Sequence, residues 1–213
     1  MDISQDLLRY GKRDNSKAAE SAKARIREMV LAAIGAENAR VFDAFAGEGA
    51  MYRAVWKDAA EYIGCDKQWF PHDARKTYVG DNRRVLRAID LAHFTIFDCD
   101  HWGSPWEQLY IIAARRPLAP GEKLGLVVTE GTGLKMNMGG TSKALAKLAG
   151  IKSHMPGMGA ARNDIIERAL RRICEMMHAT VERRWQADGN KGSRVAYMGM
   201  VLVGEAGADR VAP

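Results

Sequence analysis

The spacing of apolar positions changes period along the chain, and each change predicts an element. Residues 17–34 place Ile26, Met29, Val30, Ala33 and Ile34 on one helical face, with Gly35 as a natural stop. Residues 39–45 then form a short apolar run around Val41 and Phe42, which reads as a buried strand. Four more strands are predicted at 61–66, 77–81, 93–100 and 124–130, with helices between them at 50–60, 82–89 and 106–114. Residues 131–159 have a different texture, rich in Gly, Met, Lys and Ser, with a helical stretch at 142–148. Residues 162–178 are a clear amphipathic helix, with Ile165, Ile166, Ala169, Leu170, Ile173 and Met177 on one side. Two strands follow, at 179–187 and 194–204, around the turn Asp188-Gly189-Asn190-Lys191-Gly192.

Strands alternating with helices predict βαβ units, hence a mostly parallel sheet with helices on both faces. The last two strands add an antiparallel hairpin. The expected fold is therefore α/β and Rossmann-like, with seven strands in one domain spanning 1–213, and residues 1–15 as a polar N-terminal segment. Five parallel βα units closed by such a hairpin resemble the class I S-adenosylmethionine-dependent methyltransferases. A nicotinamide-binding sheet would normally close with another parallel strand.

Composition narrows the field without choosing a function. The chain has 213 residues, 47% hydrophobic and 27% charged, the profile of an ordinary globular protein rather than a disordered or fibrous one. A spanning helix needs ~20 consecutive apolar residues, so no membrane partner is expected. The N-terminus lacks a basic stretch followed by an apolar run, so no signal peptide is expected. Cys65, Cys99 and Cys174 lie far apart with no CxxC pair, which predicts reduced thiols and a cytoplasmic setting. The five histidines show no ligand spacing, so no metal is expected. The net charge of +6 admits a polyanionic partner, either RNA or DNA, as well as plain solubility.

Polar residues punctuate three consecutive strand ends, where open α/β sheets bind ligands. The first is Asp43-Ala44-Phe45-Ala46-Gly47-Glu48-Gly49. Gly47 and Gly49 would let the backbone pass close to a ligand, and Phe45 sits between them and the strand. Asp43 would repel a pyrophosphate but can hold the ammonium of a methionine moiety, which favours S-adenosylmethionine over NAD. A turn with a solvated Asp43 is the plainer alternative. Asp66, ending the second strand, can accept both ribose hydroxyls or can cap a helix. Asp81 and Asn82 end the third, where Asp81 can accept from an adenine amino group.

The fourth strand ends in Asp98-Cys99-Asp100-His101-Trp102-Gly103-Ser104-Pro105. An exocyclic amine is a poor nucleophile because its lone pair is delocalised into the ring. An acceptor on its N–H helps the nitrogen rehybridise, and an aromatic stacked on the base fixes its plane. The stretch resembles the D-x-D-P-F-G-S-P motif of the tRNA (guanine-N2)-dimethyltransferases at Asp98, Asp100, Gly103, Ser104 and Pro105. Trp102 replaces one aromatic by another, and His101 stands where that family has proline. The resemblance covers residues 40–131 and leaves out that family's C-terminal tRNA-recognition domain. It implies Asp100 as the amine acceptor, Trp102 as the stacking residue, and Ser104 and Pro105 beside the substrate. His101 adds a group able to act as a base near neutral pH, or simply to cap a turn. A core aromatic is the plainer alternative for Trp102, but its place beside Gly103 at a strand end favours a cleft. Asp98 is expected on the opposite face of the strand from Asp100, as a structural anchor. Ser104 and Pro105 suit an N-cap and a first helical position.

Lys135, Lys143 and Lys147 lie in the glycine-containing stretch after the fifth strand, which could close over a nucleic-acid substrate. The expected function is methyl transfer from S-adenosylmethionine to an exocyclic amine of a nucleic-acid base, RNA guanine first and DNA adenine second. A small-molecule methyltransferase and a non-catalytic binding protein of the same fold are the alternatives.

Overall fold

The computed structural model describes residues 17–71, 75–101, 103–188 and 195–206. Helix α1 spans Lys17–Ile34. Strand β1 (Arg40–Asp43) leads into α2 (Ala50–Ala54), then β2 (Glu61–Asp66) and β3 (Lys76–Val79). Next come α3 (Asn82–Ala88), β4 (Ile96–Cys99), α4 (Trp106–Arg115) and β5 (Lys123–Glu130). Three helices follow, α5 (Gly133–Asn137), α6 (Lys143–Ala149) and α7 (Arg162–Met177). Strands β6 (Ala179–Asp188) and β7 (Ala196–Gly204) close the fold. Of the turn predicted at 188–192, Asp188 is instead the last residue of β6 and 189–192 lie outside the described residues, as do segment 1–15 and Trp102.

One seven-stranded sheet has the order β3-β2-β1-β4-β5-β7-β6. Pairing is parallel from β3 to β5 and antiparallel where β7 joins β5 and β6. The order reverses between β1 and β4, which opens a crevice at their carboxyl ends. Successive residues of each central strand feed opposite layers, as the pleat requires. Val41, Ile96 and Val127 join the layer under α1. Phe42, Phe97 and Val128 join the larger layer under α3, α4, α6 and α7.

Helix α1 lies very close to the sheet. A Cβ at Gly125 would stand 2.6 Å from Val30 Cγ1, and one at Gly199 2.8 Å from Ile26 Cγ2. Absent side chains on β5 and β7 therefore set the depth of α1, which matters because α1 carries charge to the site.

Three expectations differ from the structure. The helix predicted at 50–60 stops at Ala54 and gives way to a 3-10 turn, Trp56–Asp58. Val55 leaves helical geometry (φ −136°, ψ −54°), which turns Trp56 inward to donate from Nε1 to Asp98 Oδ2 at 2.8 Å. Strand β4 begins at Ile96 rather than 93, because Leu91 and Phe94 close a turn before it. Helix α5 was not expected from the glycine-rich pattern.

Candidate active site

At the crevice, β1 runs into the loop 44–49. Asp43 ends the strand buried beneath this loop, where Oδ1 accepts from Phe45 N–H at 3.0 Å and Oδ2 from Tyr62 O–H at 2.9 Å. Burial and the neighbouring Asp98 push its carboxyl up to about 7. Asp43 thus organises the loop from below rather than facing the cavity.

Gly49 has φ +81°, the left-handed region that favours glycine, and caps α2. A Cβ there would stand 2.7 Å from the guanidinium carbon of Arg75. The space gained at Gly49 therefore admits Arg75, not a ligand. Arg75 is buried, and its guanidinium donates to the carbonyls of Ala46 and Gly47 at 3.2 and 3.1 Å. Gly47 also has positive φ, and its missing Cβ would meet only a backbone oxygen at 3.9 Å.

A cavity of about 780 Å³ lies beside this loop. Phe45, Asp66, Asp81, Asn82, His101 and Ser104 all line it. Among the predicted site residues, Asp43, Gly47, Gly49, Asp100, Pro105 and Lys135 do not. Asp66 accepts from Gly47 N–H and Gln68 N–H, each at 3.0 Å, leaving lone pairs for a ligand's hydroxyls. Asp81 caps α3 through Arg83 N–H and pairs with the Arg83 side chain at 2.5 Å. Hydrogen bonding to Arg83 holds its carboxyl well below the usual range. Asn82 is buried, donating to Ala44 C=O at 2.6 Å and accepting from Gln108 Nε2 at 2.9 Å.

At the end of β4, Asp98 and Asp100 share one face, contrary to expectation, because residues two apart on a strand point the same way. Arg27 of α1 grips both. Its Nε donates to Asp98 Oδ2 at 2.6 Å, and Nη2 to Asp98 Oδ1 at 2.9 Å and to Asp100 Oδ2 at 3.0 Å. Lys23, one turn earlier, reaches the same Asp100 oxygen at 3.0 Å. Burial opposes the charge on Arg27, yet Asp98 and Asp100 hold its pKa above the ordinary value. Burial would raise Asp100, but Arg27 and Lys23 prevail and its carboxyl lies lower than usual. Asp98, fully buried, is pushed up by burial against the pull of Arg27.

His101 packs edge-on against Phe45, ring centroids 4.7 Å apart. Burial lowers its pKa, so the neutral imidazole is favoured, and its Nδ1 is buried without a hydrogen-bond partner. Ser104 does not cap α4. Its hydroxyl donates instead to Ser142 Oγ at 2.8 Å, and Ser142 caps α6. Pro105 takes the position before the helix begins. The reason is tertiary, since the Ser104–Ser142 bond ties the β4 loop to the segment after β5. Lys135 is exposed on α5 and does not line the cavity.

Sequence reasoning missed Arg27, Lys23, Arg75 and Gln108. Lys23 and Arg27 sit four apart on a helix, a spacing that places them on one face, and that was the available signal. Nothing in the local pattern marks Arg75.

No family model matches the chain, and no curated protein matches it. Solved structures do. N-methyltransferase NodS from Bradyrhizobium japonicum, in complex with S-adenosyl-L-homocysteine, is similar at 11% identity and TM-score 0.53, over 95% of this chain and 98% of that one. Trm1 from Pyrococcus horikoshii, with S-adenosyl-L-methionine, is similar at 13% identity and TM-score 0.56, over 92% of this chain and 57% of that one. A tRNA methyltransferase of M. jannaschii is similar at 12% identity and TM-score 0.50, over 90% of this chain and 51% of that one. The fold is that of the class I S-adenosylmethionine-dependent methyltransferases.

Among the described residues, no helix is long and apolar enough to cross a membrane. Also among them, no group of three or more His, Cys, Asp or Glu could hold a metal ion.

Proposed function

We propose that the chain is an S-adenosylmethionine-dependent N-methyltransferase acting on an exocyclic amine of a nucleic-acid base, guanine in RNA before adenine in DNA. The observation that carries this reading is the cavity at the switch point. It joins the acidic end of β2 to the β4 loop, and two of its lining residues each carry a buried polar atom without a partner, His101 Nδ1 and Gln108 Oε1. Such atoms cost stability unless a ligand satisfies them. The fold of the similar structures, two of them holding this cofactor or its product, points the same way.

When bound, S-adenosylmethionine supplies a methyl group already activated by its sulfonium. The residues present would do the rest. Asp66 accepts from the ribose hydroxyls, and Phe45, within the loop 44–49, lines the cavity beside it. Asp100, held ionised by Lys23 and Arg27 and outside the residues that line the cavity, is assigned the N–H of the target amine on the motif resemblance. His101, neutral with a free Nδ1, takes the proton that the amine must lose. Trp102 is assigned the stacking of the base on the motif resemblance alone. Most of the rate gain in such a site comes from positioning and electrostatics.

The cavity mouth supports a polyanionic acceptor. Lys67, Lys143 and Lys147 are exposed on its rim, with Arg83 and Arg87 beside them. Replacing Lys67 and Lys143 by alanine should weaken RNA binding about equally for all sequences. Each lost phosphate contact should flatten the log-affinity against log-salt slope by about 0.7 for a single strand. An unchanged slope in a salt titration of fluorescence anisotropy would remove these lysines from the interface.

Two measurements test the reading. In titration calorimetry the protein should bind S-adenosylhomocysteine, and Asp66→Ala should weaken it by about 10–100-fold, the worth of hydrogen bonds to a charged group. Methyl-label transfer should then place label in bulk RNA when RNA, methyl-free DNA and a metabolite extract are offered. Label in the metabolite fraction alone would assign the enzyme to small-molecule chemistry instead.

A further inference from the structure

Gln108 is a polar side chain that the motif reading passed over. It lies on α4, is 95% buried (5% relative exposure), and helps form the cavity wall. Its amide orientation is set by a chain of hydrogen bonds that begins on the backbone. Ala44 C=O can only accept, so Asn82 must turn its Nδ2 toward it, at 2.6 Å. Asn82 Oδ1 is thereby turned toward Gln108, and it can only accept as well. Gln108 must therefore present Nε2 there, at 2.9 Å. Its carbonyl oxygen Oε1 is left over, buried in the wall with no partner.

The acceptor nearest in sequence to this relay is already committed. Asp81 Oδ1 accepts from Arg83 N–H at 3.0 Å and Arg83 Nε at 2.9 Å, and Oδ2 accepts from Arg83 Nη2 at 2.5 Å and Nε at 3.2 Å. A carboxylate bound this way has little left for a ligand. Gln108 Oε1 is an oriented, unpaired acceptor on a residue that lines the same cavity. It suits an aromatic amine, which offers N–H but is a poor acceptor.

We propose that Gln108 Oε1 accepts the 6-amino group of the cofactor's adenine, and that it rather than Asp81 makes the site select adenine over a 6-oxo purine. The inference rests on the cofactor reading above and deepens it. The backbone relay through Asn82 fixes which end of the Gln108 amide carries the carbonyl, and because Oε1 has almost no accessible surface the ligand must part the wall slightly to reach it. A 6-oxo purine would bring a carbonyl against a carbonyl, leaving both unpaired.

The test compares two ligands by calorimetry on the purified chain: S-adenosylhomocysteine and its deaminated analogue, S-inosylhomocysteine. The wild type should prefer the adenine form by about 10-fold or more, the value of one buried hydrogen bond gained and one repulsion avoided. Gln108→Leu should bring that ratio close to one, chiefly by weakening the adenine ligand. Asp81→Asn should leave the ratio as in the wild type. Because the readout is a ratio within one variant, partial unfolding of Gln108→Leu cancels from it. A Gln108→Leu protein that keeps the wild-type ratio overturns the proposal, as does one that loses affinity for both ligands equally. A ratio that collapses in Asp81→Asn instead returns the role to Asp81 and also overturns it. If the wild type binds neither ligand, the cofactor reading itself fails, a result distinct from any of these.

Discussion

Exchanging Arg27 for methionine should destabilise the chain by about 3–5 kcal/mol, the usual cost of leaving a buried charge unpaired. Arg27 is 1% exposed and answers two carboxylates at once, through three hydrogen bonds between 2.6 and 3.0 Å. Without it the one side-chain donor left to Asp98 among the described residues is the indole N–H of Trp56, and Asp43 lies opposite Asp98 on the adjacent strand. Three carboxyl groups, Asp43, Asp98 and Asp100, would then share one buried region, with Lys23 still paired to Asp100. For a domain of this size the loss corresponds to a fall in melting temperature of about 6–20 °C. Thermal unfolding followed by circular dichroism measures it. The double variant Arg27→Met/Asp98→Leu should recover part of the loss, because removing both charges is far cheaper than removing one. A single variant that melts within about 2 °C of wild type would show that the pair is not an obligatory support.

Asp100→Asn should reduce turnover by about 100–1,000-fold, the range for loss of a charged group that assists a proton or stabilises a developing charge. The substitution keeps the shape and still accepts hydrogen bonds from Lys23 and Arg27, so the fold should persist. Affinity for S-adenosylhomocysteine should stay within about 3-fold, since Asp100 does not line the cavity that holds Asp66 and Phe45. Single-turnover methyl transfer and calorimetry separate the two effects. If the double variant Lys23→Met/Asp100→Asn recovers wild-type turnover, Asp100 serves only to balance Lys23, and its role as amine acceptor is lost.

The fold was largely readable before any coordinates. Helix α1 and strand β2 fall where the pattern puts them, at 17–34 and 61–66, because α1 buries one apolar face and β2 sends Tyr62 and Cys65 into opposite layers. The antiparallel pairing of β6 and β7 was readable from two strand-like runs on either side of the turn-forming residues 188–192. What failed was local structure overruled from a distance. The helix at 50–60 breaks because Trp56 is drawn to Asp98, more than forty residues away. Ser104 has the right neighbour for an N-cap, but Ser142 takes its hydroxyl. Helix α5 was hidden because a five-residue helix shows too little periodicity to be read.

The candidate site divides in the same way. Sequence by itself determined which chemistry was available: acidic residues at three strand ends, a glycine-containing loop, and the stretch 98–105 with its aspartates and histidine. These follow from sheet topology, since strand ends in an α/β fold converge on one edge. Tertiary structure decided which of those groups are free to act. It buried Asp43 beneath its own loop and spent Asp81 on Arg83. It also brought Lys23 and Arg27 from α1 onto Asp98 and Asp100, across more than seventy residues. Gln108 was left with an unanswered carbonyl. A carboxylate's chemistry depends on the charges and donors packed around it, and that packing is set by chain crossings that no local pattern records.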